Sequence, residues 1–338
     1  MDHYRIVGTN GSGYSRKVRA ILRYRRLPHV WELRTDRNID EFARVRPLLM
    51  PILQYPEDGS MHIDSTPIAY ALEERHPNRR SIVPPDPVHA FLSHLIEDMG
   101  DEWLTKPLFH YRWSFDRDIR YASFWIADDF HPDRTGEERS AAAREFAERQ
   151  IARLPVVGCT PGNAPLIEES YRHVIALLDT HVSAFSYLFG SRPALGDFGL
   201  FGQLATLASD PTPMAIMRNE AQRTESWVRT LDDASGIEGE WLDPGEELPD
   251  ATVQMVRYCG DLYLPFLEGN ARAARAGHPE FTIELLGRPY SQSVFGYQVK
   301  CLEELRRRYQ ALDEAGRRRV DALLGQTAGR NVLRRAAA

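Results

Sequence analysis

The sequence predicts an α/β N-terminal domain, with elements in the order β-α-β-α-β-β-α, followed by a larger all-α C-terminal domain. Three observations carry this reading. Within residues 1–80, short alternating stretches are interleaved with helical-period stretches, and a turn signal joins the last two strands. A run rich in Pro, Arg and Asp, from Asn78 to Pro87, then reads as an interdomain linker. Beyond it, from residue 88 to 338, apolar residues recur at helical spacing.

The elements follow in order. Tyr4 to Val7 is strand-like. Ser15 to Arg25 is helical, with Val18, Ile21 and Leu22 on one face and Arg16, Arg19 and Arg23 outside. His29 to Leu33 alternates like a second strand. Asp40 to Val45 suggests a short helix stopped near Pro47, since the residue before a proline is pushed out of the helical region. Ile52 to Tyr55 and Met61 to Ile63 flank Glu57-Asp58-Gly59-Ser60, a hairpin signal. Pro67 to Arg75 is a helix with Ser65 or Thr66 as N-cap and a proline in its first turn. In the second domain, Leu92, Leu95, Ile96, Met99 and Trp103 form one apolar stripe. Further helices are expected over 117–129 and 135–153, around Val174 to Phe185, and from Asp197 towards Ala208. Asp232 to Asp250 reads as a polar loop, Val294 to Leu312 as a last long helix, and Gln326 to Ala338 as a frayed tail.

The chain has 338 residues, which suggests two domains. Its net charge of −6 gives no reason to expect nucleic acid or an anionic membrane as partner. No apolar run approaches the ~20 residues of a membrane span, and Met1 to Arg5 opens without the apolar core of a signal peptide. Cys159, Cys259 and Cys301 are widely spaced, with no C-x-x-C pair, against a disulfide framework or structural zinc site. A cytoplasmic location is the expectation.

The residues that point to chemistry begin at Ser12-Gly13-Tyr14-Ser15-Arg16-Lys17-Val18, directly after the first strand. A hydroxyl residue there, opening a helix, can present an O–H and free backbone N–H groups to an anion. Met50-Pro51 and Asp64-Ser65-Thr66-Pro67-Ile68 follow. Together the three segments resemble the glutathione-binding domain of the glutathione S-transferase superfamily, of the serine-bearing zeta-, theta- and omega-like kind, with a thioredoxin-like fold. The resemblance implies attack of an activated glutathione thiolate on a small hydrophobic electrophile, with glutathione as co-substrate, no metal and a homodimer. Ser12 takes the position of the catalytic residue, with Ser15 and Tyr14 as weaker candidates. Met50 and Pro51 match the family's cis-proline site, which exposes backbone to the cysteinyl unit. Asp64 and Ser65 match the pair that holds the γ-glutamyl end. A free thiol ionises near pH ~8.5, so lowering that value by ~2 units takes about 2.7 kcal/mol of preferential anion stabilisation. One hydroxyl hydrogen bond to the thiolate, roughly 1.5–3 kcal/mol, supplies much of it.

One departure stands out. The family often carries a lysine two positions before the cis-proline, near the glycyl carboxylate, whereas this chain reads Pro47-Leu48-Leu49-Met50-Pro51. Arg37, Arg44 and Arg46 are the candidates to replace it. Two other functions share the resemblance: a non-catalytic interaction module, and glutathione-dependent isomerisation or ether cleavage.

Other features have bland readings. His94, Asp98 and Asp101 share a helix face with Glu97 and Glu102 nearby. That pattern could hold a divalent cation but is ordinarily a solvated face, and the resemblance would let Asp98 or Asp101 border the cleft. The aromatics from Phe109 to Phe130 read mainly as core, with part lining a co-substrate pocket. Arg306-Arg307-Arg308 and Arg317-Arg318-Arg319 are interleaved with acids, which is the pattern of solvated helices. Ala194 to Phe198 resembles the family's segment in which a buried Asp197 caps a core helix. There is no G-x-S-x-G elbow or phosphate-binding loop, and no cysteine near position 12 for disulfide exchange. The second domain exceeds the family's usual one through an insertion near 115–165 and an extension after about 240.

Overall fold

The computed structural model describes residues 2–77 and 80–335; Met1, the linker residues Asn78 and Arg79, and the tail residues 336–338 lie outside the described residues. The N-terminal domain runs β1 (Tyr4–Gly8), α1 (Gly13–Tyr24), β2 (His29–Leu33), β3 (Ile52–Gln54), β4 (Met61–Ile63) and α2 (Ser65–Arg75). The strands lie in the order β2-β1-β3-β4, β1 parallel to β2 and antiparallel to β3, which pairs antiparallel with β4. Ile6 sits opposite both Trp31 and Leu53, so its side chain is centred on the sheet and fully buried. This is the expected thioredoxin-like arrangement. Between β2 and β3 a single 3-10 turn, Ile39–Phe42, stands where a short helix was expected. It buries only Phe42, too little apolar surface to extend the turn into a helix.

The second domain is helical: α3 (Pro87–Glu102), α4 (Thr105–Ser114), α5 (Asp116–Phe130), α6 (Gly136–Ile151), α7 (Leu154–Val157), α8 (Ala164–His181), α9 (Leu195–Leu207), α10 (Pro211–Glu220), α11 (Gln222–Asp232), α12 (Asp250–Tyr258), α13 (Leu264–Arg275), α14 (Gly296–Ala311), α15 (Glu314–Leu324) and α16 (Arg330–Arg334). Every residue of α9 is buried. A Cβ on Gly199 would lie 2.6 Å from the Glu97 Cα, and one on Gly202 would lie 2.5 Å from the Gly13 carbonyl oxygen. Glycine at these two positions lets α9 approach α3 and α1 backbone to backbone. Asp197 caps α9 as expected: its carboxylate accepts from Ala194 N at 2.9 Å and Leu188 N at 3.2 Å.

The chain beyond residue 240 holds two features absent from the sequence reading. One π turn, Cys259–Tyr263, joins α12 to α13. A hairpin, β5 (Glu280–Leu285) and β6 (Arg288–Ser293), interrupts the helices. Its turn residues, Leu286 and Gly287, have φ of 49° and 75°. Leucine is not a residue that favours positive φ, so the usual Asn-Gly signal is missing. The hairpin is anchored by Tyr290, which is fully buried against Trp103 and Phe266.

The same region also corrects the reading of α3. Its acidic face is covered by protein, not solvated. Tyr263 donates to Asp98 at 2.7 Å and Gln298 donates to Glu102 at 3.2 Å. Arg306 likewise turns inward, onto Glu268. Next to these, Lys17 of α1 is buried and donates to Asp101 at 2.7 Å, to Glu97, and to the hydroxyls of Ser65 and Thr66 at 3.3 Å each. One ammonium thus ties α1, α2 and α3 together.

Two outcomes follow from these buried charges. Removing one partner of a buried ion pair leaves the other uncompensated. Lys17→Met is therefore expected to cost about 3–5 kcal/mol in denaturant unfolding. Burial, and then the Asp101 charge, push the Glu102 carboxyl up to about 7. The folded state then holds a proton that the unfolded chain releases above pH ~4.3. Stability from this group is complete below that range and is lost as pH rises through 7. Glu102→Gln is expected to raise stability at pH 8 by on the order of 1–3 kcal/mol. Melting curves at pH 5 and pH 8 should show the gain shrinking on the acid side.

Candidate functional site

The loop Thr9 to Ser12 leaves β1 and enters α1. Ser12 is the N-cap, with extended φ and ψ of −105° and 119°, and its Oγ accepts from Ser15 N at 3.2 Å. Capping uses a lone pair of that oxygen and leaves its proton without an acceptor among the described residues, so the hydroxyl can cap and donate together. The loop is held from the helical domain. Asp129 of α5 accepts from Thr9 Oγ1 at 3.1 Å, Asn10 N at 2.9 Å and Asn10 Nδ2 at 3.1 Å. Arg112 of α4 donates to the Gly11 carbonyl at 2.9 Å and is itself fixed by Asp210 at 2.6 Å.

Ser12 and Met50 line one cavity of about 390 Å³ between the domains. The Met50–Pro51 peptide is cis, as is Arg46–Pro47. Leu108, Phe109, Trp113, Ile126, Phe130 and Phe146 form its apolar walls. The aromatic segment therefore divides: Phe109, Trp113 and Phe130 face the cavity, Tyr111 is core, and Tyr121 is exposed.

The other sequence candidates lie differently. Tyr14 reaches the cavity, but its hydroxyl donates to the Asp101 carbonyl at 3.0 Å. Ser15 is fully buried, its Oγ against Gly8. Asp64 and Ser65 cap and begin α2, outside the cavity lining. Asp64, at φ 74°, accepts from Thr66 N at 3.4 Å and from the Tyr297 hydroxyl at 2.7 Å. The Ser65 hydroxyl is turned inward and donates to Asp101 at 3.1 Å. Asp101 thus supports Ser65 and Tyr14 from behind and lines no cavity wall, while Asp98 lies against Tyr263. Arg37 pairs with Asp133, Arg46 donates to the Val45 carbonyl, and Arg44 lines a separate surface hollow.

Several cavity residues escaped the sequence reading. Arg34, Arg112, Arg149, Arg153 and Gln203 all line it. Arg149 and Arg153 lie four residues apart at and just past the end of α6, while Arg34, Arg112 and Gln203 come from other places, so no single local spacing links the set. Gln203 alone left a trace, as a side-chain amide in the otherwise apolar stretch Phe198 to Leu204. It is fully buried, and among the described residues neither its Oε1 nor its Nε2 has a hydrogen-bond partner. It packs on the end of α1, where a Cβ on Gly13 would lie 2.8 Å from its Cδ. Among the described residues no group of His, Cys, Asp and Glu is arranged to hold a metal ion, and no helix is long and apolar enough to cross a membrane.

Residues 6–80 match the family model of the glutathione S-transferase N-terminal domain. No curated protein matches the chain. Solved structures similar to it include a glutathione S-transferase of Methylobacterium radiotolerans in complex with glutathione sulfonate, 20% identical, with 73% of this chain and 100% of that one covered at a TM-score of 0.42. A beta-etherase of Sphingobium sp. strain SYK-6 is 19% identical, covering 75% and 98% at 0.48. A maleylacetoacetate isomerase of Anaeromyxobacter dehalogenans is 19% identical, covering 73% and 97% at 0.35.

A buried amide with no partner is costly, so its removal should stabilise the fold. Gln203→Leu is expected to raise unfolding free energy by about 1–3 kcal/mol. Denaturant titration of the variant beside the unmodified chain checks this; a loss of stability would mean the amide is satisfied in the folded protein.

Proposed function

We propose that this chain, a member of the glutathione S-transferase superfamily through its residues 6–80, binds glutathione and uses its thiolate as a nucleophile. The observation that carries the reading is the Ser12 hydroxyl, which caps α1 through its oxygen, has a free proton, and lines an apolar-walled cavity together with Met50. The proton of Ser12 Oγ would donate to the thiolate, and the positive end of α1 adds roughly 0.3–1 kcal/mol. The thiolate then forms a C–S bond to an electrophilic carbon while the leaving group departs with the bonding pair. The thiol proton passes to solvent.

The tripeptide would lie across the first domain. Backbone N–H and C=O of Met50, before Pro51, would meet the cysteinyl unit. The Asp64 carboxylate would meet the γ-glutamyl ammonium. The Ser65 hydroxyl is engaged by Asp101, so its backbone N–H at the start of α2 is the group left for the γ-glutamyl carboxylate. A homodimer in the cytosol fits the family resemblance, and the three cysteines, all free and buried, fit a reducing compartment. Isomerisation and ether cleavage would use the same thiolate and differ only in the co-substrate.

One observation favours a second reading, a non-catalytic interaction module. The Tyr297 hydroxyl already donates to Asp64, which is the carboxylate assigned to the ammonium. Calorimetry with glutathione, comparing the unmodified chain with Asp64→Ala, separates the two; no binding at millimolar glutathione would favour the module. For the enzyme, Ser12→Ala is expected to lower kcat/KM with 1-chloro-2,4-dinitrobenzene by about 10–100-fold, the worth of one hydrogen bond to an anion. Loss of the donor raises the bound thiol's pKa. The rate deficit should therefore be larger at pH 6.5 than at pH 9, and the pH–rate profile should shift towards ~8.5, the free-thiol value.

A further inference from the structure

Although the chain carries a net charge of −6, the cavity lining includes four arginines, Arg34, Arg112, Arg149 and Arg153, and no Asp or Glu. They are graded in depth. Arg112 is buried at the Ser12 loop, Arg34 is half-buried on the wall, and Arg149 and Arg153 are exposed at the rim. Arg112 is ion-paired with Asp210; among the described residues Arg34, Arg149 and Arg153 form no ion pair, although the Asp36 charge acts on Arg34. What holds two of them is aromatic. The Arg34 guanidinium lies 5.0 Å from the Phe130 ring centroid and that of Arg149 lies 5.2 Å from Phe146, both rings lining the cavity. Stacking fixes these planes and leaves their N–H edges free for an acceptor.

The cost of this arrangement is visible. Arg34 Nε is buried without a hydrogen-bond partner among the described residues, as is Arg112 Nη2. Burial, and then the neighbouring Arg149 charge, lower the affinity of Arg34 for its proton. A cluster of unpaired like charges within an aromatic-walled cavity is unfavourable until an anion enters, when each contact becomes a charge-assisted hydrogen bond.

We infer that the co-substrate pocket selects an aromatic molecule bearing an anionic group, a carboxylate, sulfonate or phosphate, its ring against Trp113, Phe130 and Phe146 and its anion on Arg34, Arg149 and Arg153. This rests on the reading of the cavity as the co-substrate site. It narrows that reading from a hydrophobic electrophile to an acidic one. The glycyl carboxylate of glutathione has the same chemistry and is the competing occupant. The geometry favours the co-substrate, because Arg149 and Arg153 follow from the insertion, beside its aromatic walls, and not from the tripeptide-binding domain.

The test is a fluorescence titration of the full chain with two probes of nearly the same shape, anionic 8-anilinonaphthalene-1-sulfonate and neutral N-phenyl-1-naphthylamine. Each is run with and without saturating S-methylglutathione. The anionic probe is expected to bind at least about tenfold more tightly, the worth of one charge-assisted contact. That preference should persist with S-methylglutathione present. In an Arg34→Gln/Arg153→Gln variant the affinity ratio should fall by about tenfold or more. Equal binding of the probes, no binding of either, or a ratio unchanged in the variant would overturn the proposal. Displacement of the anionic probe by S-methylglutathione would overturn it too, assigning the arginines to the glycyl carboxylate. Since the probe preference is read without glutathione turnover, an inactive chain that keeps it would sink the catalytic reading and leave the anion site standing.

Discussion

The Lys17 ammonium is buried on the inner face of α1, where its protons reach Glu97 and Asp101 of α3 and the hydroxyls of Ser65 and Thr66 at the start of α2. A charge taken out of water is tolerated only when its partners are close and satisfied. Its partners come from both domains, so the relative placement of α1, α2 and α3 is set by this one group. Ser12 stands at the N-terminal end of α1 and Asp64 at that of α2. Lys17, together with the sheet from which both helices start, holds these two ends in place. The glycine contacts of α9 act in the same direction, bringing the second domain's central helix against Gly13.

Two further segments act on this frame from two sides. Residues 115–165 contribute Asp129, which takes three hydrogen bonds from Thr9 and Asn10, along with Phe130, Phe146, Arg149 and Arg153 of the cavity lining. The chain beyond residue 240 seals the acidic face of α3 with Tyr263 and Gln298 and reaches Asp64 with Tyr297. Burial raises the carboxyls of Asp101 and Glu102, that of Glu102 to about 7. The polar interior next to the site is therefore sensitive to pH near neutrality, an effect of covering α3 and not of any local sequence pattern.

The arginine-lined cavity and the Lys17 cluster illustrate opposite treatments of buried charge. At Lys17 each ammonium proton has an acceptor, and the group is structural. In the cavity the cations rest on aromatic faces and their hydrogen-bonding edges are unspent. A polar group left unsatisfied at a cavity wall, as Gln203 also is, marks a place where the protein's own contacts end and a ligand's begin.

The strands β1 to β4 with α1 and α2 in their order, the stripe of Leu92 to Trp103, and the Asp197 cap were legible in the sequence, whereas the short helix expected before Pro47 is a 3-10 turn. Each is a local signal of period, cap or turn spanning a few residues. The hairpin was not, because Leu286-Gly287 lacks the residues that favour its turn. The burial of α3's acids was not either, because alternation records that a face is polar and says nothing of what covers it. Arg34, Arg112, the pair Arg149 and Arg153, and Gln203 come together from four separate places in the chain, and Tyr297 meets Asp64 from the far end of it. The sequence by itself determined the period of the main elements and the Asp197 cap, because those energies are local, while the N-cap of α2 falls on Asp64 and not on Ser65 or Thr66. Only the tertiary structure decided which side chains share the cavity and which charges go unpaired, because those energies depend on contacts between segments that no spacing along the chain encodes.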